Sequence, residues 1–395
     1  MTANSPVPPE SDLTIRSYQK LALETDRLKN TGNPLDLPML GFIGEAGGLL
    51  SAVKKRKRDD IPTASYFAAV KEELGDFIWY LAVLSSRAGV PLESIFVQAM
   101  PKPWTGKGLL RFEDAQAPFL RTREAPIDRL IALLISMSGD LGAVMTLYAR
   151  NPRAWDRTKL EAGLVCVARS LMRAASAARI KTQEAAHFQL LKAHDRWPGD
   201  KVFYPALLDA TADANEQLPR DLVVRIEERT VRARRYVFQS CSGINIGDPL
   251  TDNIRDSDDY RFHDVFHYAY AAVLGWSPVT RALLKLKRKS DPETDESEDG
   301  ARAILIEEGV SGFVFTQGKS LGLFEKVKRG ELSYDLLKTI RQFVRGYEVE
   351  SAPLWLWEEA ILAGFKCFRV LKENRGGIVT MDMNKRRIQI APLTP

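Results

Sequence analysis

Apolar residues recur every third or fourth position along most of the chain while strand-like alternation is scarce, so the pattern predicts a mainly helical, all-α protein. Two helices carry the strongest signal. In "VKEELGDFIWYLAVL", Val70 to Leu84, the apolar stripe runs Leu74, Phe77, Ile78, Leu81 and Leu84, with Glu72, Glu73 and Asp76 on the adjoining stripe. In "GFIGEAGGLL", Gly41 to Leu50, four glycines and one carboxylate interrupt an apolar helix. Here Leu40, Ile43, Leu50 and Val53 are expected to face the core, and Gly41, Glu45 and Gly48 to share a flank beside a shallow groove. Each interior glycine costs a helix about 1 kcal/mol relative to alanine, so something must come close on that flank. One β-hairpin is predicted, at the end: "GGIVTMDMNKRRIQIA", Gly376 to Ala391, carries β-branched residues on both sides of Asn384.

The helical pattern breaks at residues 101–108, 196–205 and 290–300, all rich in Pro, Gly or acid. The first two read as module boundaries and the third as a long exposed loop. Self-comparison aligns "GFIGEAGGLLSAV" with "ISMSGDLGAVMTL", pairing Gly44, Glu45 and Gly47 with Gly139, Asp140 and Gly142. It also aligns "VPLESIFVQAMPK" with "IKTQEAAHFQLLK", pairing Lys102 with Lys192. The expected organisation is a helical module over 12–105, a degenerate repeat of it over 124–200, and a mainly helical third module over 218–395 that ends in the hairpin.

With 395 residues, 45% of them hydrophobic, the chain can bury the cores of two or three domains of roughly 100 to 200 residues. The polar, proline-rich start and the lack of a run of roughly 18 apolar residues give a cytoplasmic expectation with no membrane partner. Cys166, Cys241 and Cys367 form no CxxC pair, which suggests neither a disulfide framework nor a structural zinc site. The net charge of +5 is modest but gathers in "KKRKR", Lys54 to Arg58, and "KLKRKS", Lys285 to Ser290, runs that can attract phosphate or sit as solvated helix ends. No nucleic-acid motif accompanies them, so nucleic acid is not the expected partner.

If the two acid-bearing helices pack antiparallel, Glu45 faces Glu73 and Asp76. Carboxylates so placed repel one another unless a cation lies between them, and hard oxygen ligands suit Mg²⁺ or Mn²⁺. Glu72 and Glu73 are then candidates for catalysis, with Glu72 as a spare general base, and Lys54, Lys55, Lys71 and Lys102 for holding phosphates. Lys192 and Arg196, in the second repeat, offer further positive charge. A second candidate metal cluster comes from His263 and His267, at i, i+4 spacing with Asp264 between, together with Glu307 and Glu308 in another apolar helix. Trp355 and Trp357 are expected in the core and Glu358 and Glu359 in solvent.

"LPMLGFIGEAGGLLSAVKK" followed by "EELGDFIWYLAVLSSRAGVPLESI" resembles the MazG-type all-α nucleoside triphosphate pyrophosphohydrolases, and "YQKLALETD", Tyr18 to Asp26, is similar to that family's first helix. The resemblance implies a four-helix module whose ExxE and ExxD acids hold Mg²⁺ against a triphosphate, with water attacking at the α/β linkage. Carried over, Glu45 matches the first glutamate of ExxE, and Glu73 and Asp76 match ExxD. Gly48 stands where the second glutamate is expected, and Ala99 stands where an asparagine precedes the lysine matched by Lys102. The second repeat keeps Asp140 but has no acids in register near Gly163 to Cys166. "FHDVFHYAYAAVL" and "IEEGVSG" resemble the two acid-bearing helices in reversed order, which implies a permuted module at the C-terminus. The expected function is therefore Mg²⁺-dependent cleavage of a nucleoside triphosphate, NTP or dNTP, to monophosphate and pyrophosphate. The alternative is a catalytically decayed nucleotide-sensing or scaffolding protein built from such modules. Relatives often form their site between protomers, so a homodimer is one expected assembly.

Overall fold

The computed structural model describes residues 6–28, 32–59, 62–106, 108–116, 118–119, 127–199 and 202–393. Residues 124–126 of the expected second module, 107 and 200–201 of the expected breaks, and the chain ends at 1–5 and 394–395 lie outside the described residues. The chain forms two compact units, Met1–Phe203 and Tyr204–Pro395.

The first unit is helical: α1 (Ile15–Glu24), α2 (Asp36–Asp59), α3 (Thr63–Arg87), α4 (Leu92–Ala99), the single turn α5 (Phe112–Ala115), α6 (Ile127–Arg150), α7 (Arg157–Ala178) and α8 (Thr182–Arg196). Local chemistry sets several ends, as where Thr14 and Ser17 form a capping box on α1 and Asp156 accepts from Thr158 and Lys159 amides at the start of α7. The predicted stripe of α3 is fully buried, from Leu74 to Leu84. α2 lies along α3 and α6 along α7, but the last helices cross over: α8 packs on α3, and α4 on α7. Two separate tandem four-helix modules are therefore not what forms; the halves interlock into one body. They share a turn, since Val90 N–H donates to Ser85 O and Ile180 N–H to Ala175 O. Each turn is clamped by a glutamine. Gln19 donates to Val90 O and accepts from Leu92 N, while Gln116 donates to Ile180 O and accepts from Thr182 N.

The crossing of α8 over α3 depends on Gly75, where a Cβ would stand 2.7 Å from the Ala185 carbonyl oxygen. In α2 the apolar flank is rotated from the sequence expectation. Met39, Phe42, Ala46, Leu49 and Val53 are buried, whereas Leu40 and Ile43 are exposed. α2 is apolar nearly all round, so its sequence offers two competing stripes, and the glycines decide between them by letting Tyr80 and Glu73 approach at Gly41 and Gly48. α6 also departs from expectation, being long and apolar enough by composition to span a bilayer, with a mean hydropathy of 1.8. Leu130, Leu134, Met137, Leu141, Val144 and Tyr148 are buried at helical spacing, but only 28% of its apolar stretch is buried in all, so α6 turns one stripe inward and leaves side chains such as Ile135 exposed.

The second unit corrects the all-α expectation. A five-stranded antiparallel sheet, in the order β3-β2-β1-β4-β5, is built from β1 (Asp221–Val231), β2 (Arg234–Cys241), β3 (Ile244–Asn245), β4 (Gly376–Asp382) and β5 (Arg387–Ala391). The predicted hairpin is β4–β5; the other three strands are not among the elements expected from the sequence. Leu222, Val224 and Ile226 point inward from β1 in strict alternation. α9 (Asp264–Leu274) and α14 (Leu354–Asn374) pack on each other and on β4 and β5. α10 (Pro278–Leu284), α11 (Pro292–Ser297), α12 (Ala301–Ser320) and α13 (Tyr334–Phe343) complete the unit. The expected acidic loop at 290–300 is largely α11, because Asp291 caps it and Pro292 opens it. Asp299 in the same segment is fully buried between Arg281 and Arg288.

Candidate metal centre

In the first unit the packing of α2 on α3 brings Glu45 to Glu73, and the missing side chain at Gly48 makes the space that the Glu73 carboxylate fills. The cation beside these acids is supplied by the chain itself. Lys192 reaches from α8 and places Nζ 2.6 Å from Asp76 Oδ2 and 3.2 Å from Glu72 Oε1. Lys102, its counterpart in the first half, is exposed beyond the end of α4. Lys71 lies over the Phe188 ring, Arg196 is buried over Trp197, and Lys54 and Lys55 are exposed near the end of α2. These candidate phosphate ligands are thus dispersed, with Lys192 the one seen in an ion pair with the acids among the described residues.

Burial, then the charges of Asp76 and Glu73, raises the Glu45 pKa to about 7. A carboxyl whose folded pKa is raised binds its proton more tightly in the folded state, so folding stability falls as pH climbs from the unfolded value through the folded one. Glu45→Gln is therefore expected to stabilise the protein by about 1–2 kcal/mol near pH 8 without divalent cations, a figure reduced for solvent screening of this half-exposed group, and to change little near pH 5. Thermal melts at the two pH values check this; equal melting temperatures for wild type and variant near pH 8 would refute it.

The second unit holds a different arrangement. His263 stands at the start of α9, His267 one turn on, and Glu308 on α12; one ligand atom from each lies within 4.8 Å of the other two, the one such trio of His, Cys, Asp or Glu among the described residues. Glu45, Glu73 and Asp76 do not form such a group. The imidazoles are held from behind. His267 Nδ1 lies 2.9 Å from Glu307 Oε1 and His263 Nδ1 2.9 Å from the Tyr260 carbonyl, so a proton on each Nδ1 turns each Nε2 lone pair toward Glu308. His267 Nε2 is buried without a hydrogen-bond partner, and Glu308 Oε1 is 3.5 Å away. Glu307 is not at the centre but behind it, fully buried and also accepting from Ser277 Oγ (2.7 Å) and the Val279 amide (2.8 Å). Asp264 flanks the trio, with Oδ1 3.2 Å from His263 Nε2 and Oδ2 accepting from Gln239.

Burial alone would lower the His267 pKa, but the Glu307 carboxylate outweighs it and raises the value well above the usual imidazole range. Burial would raise Glu308, yet contact with His263 and His267 holds it far below the ordinary carboxylate range. The cluster is thus a strong electrostatic trap for positive charge, and a divalent cation would compete there with a proton. It opens outward on one side: the His267 side chain is fully buried, whereas that of Glu308 is 37% exposed.

Several residues of this site carried no sequence signal. Gln239 on β2 bridges Asp264 and the Tyr268 hydroxyl, Tyr260 stacks on His263 with ring centroids 4.3 Å apart, and Ser277 holds Glu307. The basic runs prove mundane. Lys57 pairs with Asp128 and Arg58 with Asp59, while Arg288 is buried against Asp299 and Glu348.

Residues 204–394, nearly the whole second unit, match the family described as the MazG C-terminal domain. The match supports a MazG-related assignment for this unit and a nucleotide-associated role; it does not extend to the N-terminal quarter. No curated protein and no solved structure matches the chain.

Proposed function

We propose that the chain is a divalent-cation-dependent pyrophosphohydrolase that cleaves a nucleoside triphosphate to the monophosphate and pyrophosphate, with its working centre in the second unit. The observation that carries the metal centre is the convergence of His263, His267 and Glu308, with His267 Nε2 buried, making no hydrogen bond, and facing Glu308 Oε1 at 3.5 Å. A buried imidazole nitrogen left without a hydrogen bond is costly unless a ligand satisfies it. The similarity to the MazG C-terminal domain supports the nucleotide as substrate.

His263, His267 and Glu308 would hold the cation, and two imidazoles with a carboxylate favour Mn²⁺ over Mg²⁺. When bound, the cation would neutralise phosphate charge and make a coordinated water more acidic. Glu307 fixes the His267 ring and its tautomer, Tyr260 does the same for His263, and Gln239 holds Asp264 beside the centre. Asp264, with Oδ1 facing His263 Nε2, is placed to accept a proton from an attacking water.

One observation favours the alternative reading for the first unit alone. Lys192 already neutralises Asp76 and Glu72, so this half reads as a decayed nucleotide-binding or scaffolding element. A nucleotide panel with Mn²⁺ or Mg²⁺ and pyrophosphate detection separates the two. Asp264→Asn is expected to lose most activity and Glu73→Gln little. The reverse result would move catalysis to the first unit, and no pyrophosphate from any nucleotide would overturn the enzymatic reading.

A further inference from the structure

β1 pairs with β4 only over Asp221–Glu227, whereas its pairing with β2 runs on to Val231↔Arg234. Beyond Glu227 the two strands therefore continue past the β1–β4 pairing as a two-stranded ribbon. Its turn is Arg232–Ala233, both at positive φ (47° and 64°), the left-handed pair that matches the twist of a tight hairpin. Four arginines fall within its seven residues 229–235, all exposed: Arg229, Arg232, Arg234 and Arg235.

Their distribution is informative. The cross-strand pairs Arg229↔Tyr236 and Val231↔Arg234 share one face, Thr230↔Arg235 the other, and Arg232 stands at the tip. Arg229 is paired with Glu227 and lies over the Phe238 ring. Arg232, Arg234 and Arg235 have no ion-pair partner among the described residues. So the ribbon carries uncompensated positive charge on both faces and at its end, close enough together to repel itself.

We infer that this ribbon is a binding element for duplex DNA, gripping the phosphate backbone through its arginines. A two-stranded ribbon fits a major groove about 12 Å wide, and guanidinium groups on both faces can then meet both walls. An A-form RNA duplex has too narrow a major groove for it. A bilayer is disfavoured because the tip offers Arg and Ala rather than large apolar side chains. A free nucleotide would use one or two of the cations and leave the rest uncompensated. The two basic runs evident in the sequence do not form such a ribbon: Lys57, Arg58, Arg288 and Lys289 are ion-paired, and Lys54 and Lys55 stand exposed on α2.

The test is fluorescence anisotropy on the full chain with labelled duplex DNA, duplex RNA, and vesicles containing phosphatidylserine. The comparison is wild type against R232A/R234A/R235A and R232K/R234K/R235K, each checked for native circular dichroism. Wild type should bind DNA with salt-dependent affinity, and the alanine triple should lower the log–log salt slope by about 3 between roughly 50 and 200 mM salt. The lysine triple should keep most of that slope, which loss of fold would not. An alanine triple with the wild-type slope overturns the inference, as does a wild-type chain that binds vesicles or RNA but not duplex DNA. Pyrophosphate release by the same variants should be unchanged, so this result and that of the nucleotide panel stand or fall separately.

Discussion

Glu308→Gln is expected to abolish Mn²⁺ binding and pyrophosphate release while leaving the fold intact. The glutamine keeps the volume of a side chain that is 37% exposed, so little packing is lost. What disappears is the one carboxylate charge facing both imidazole Nε2 atoms. Removing a group that merely orients a ligand costs about 10- to 100-fold in metal affinity or activity, so removing a direct ligand should cost at least about 100-fold. Calorimetric titration with Mn²⁺ reads the affinity, and the melting temperature without metal reads the fold. Wild-type affinity in the variant would place the cation elsewhere.

Glu307→Ala should act in the opposite way, through stability before chemistry. Glu307 is fully buried and accepts from His267, Ser277 and the Val279 amide. Truncation strands three donors and leaves His267 without the counter-charge that raises its pKa. Breaking a buried ionic pair of this kind costs about 3–5 kcal/mol. Urea unfolding should show a lower midpoint at unchanged slope. Glu307→Gln should fall between, because its amide oxygen can accept from His267 and Ser277 while its NH2 must face the Val279 amide donor. A midpoint unmoved in the alanine variant would show that Glu307 holds nothing together.

The contrast between these two neighbours shows what the sequence could and could not convey. That His263, His267 and the Glu307–Glu308 pair belong together was readable, since i, i+4 histidines share a helical face and paired acids in an apolar helix invite a use. Which glutamate faces inward was not, because adjacent helical residues diverge by about 100° and only the docking of α9 on α12 fixes the phase. The rotation of α2 is the same failure. β1 and β2 were missed because "RIEERTVRARR" is rich in good helix formers; the alternation in "DLVVRI" was the signal available. The approach of Glu45 to Glu73 was expected on the condition that α2 and α3 pack antiparallel, but its built-in cation was not. Lys192 arrives only because α8 crosses to the other half, and no local rule encodes that. Glu358 is similar: expected in solvent, it is fully buried and caps the Gly330 and Leu332 amides.

The exchange of last helices bears on how the first unit can come apart. Once α8 walls one half and α4 the other, losing either segment strips its neighbour of a surface. Neither half is then expected to stay folded as an isolated fragment, and the unit should open as one cooperative block rather than in two steps.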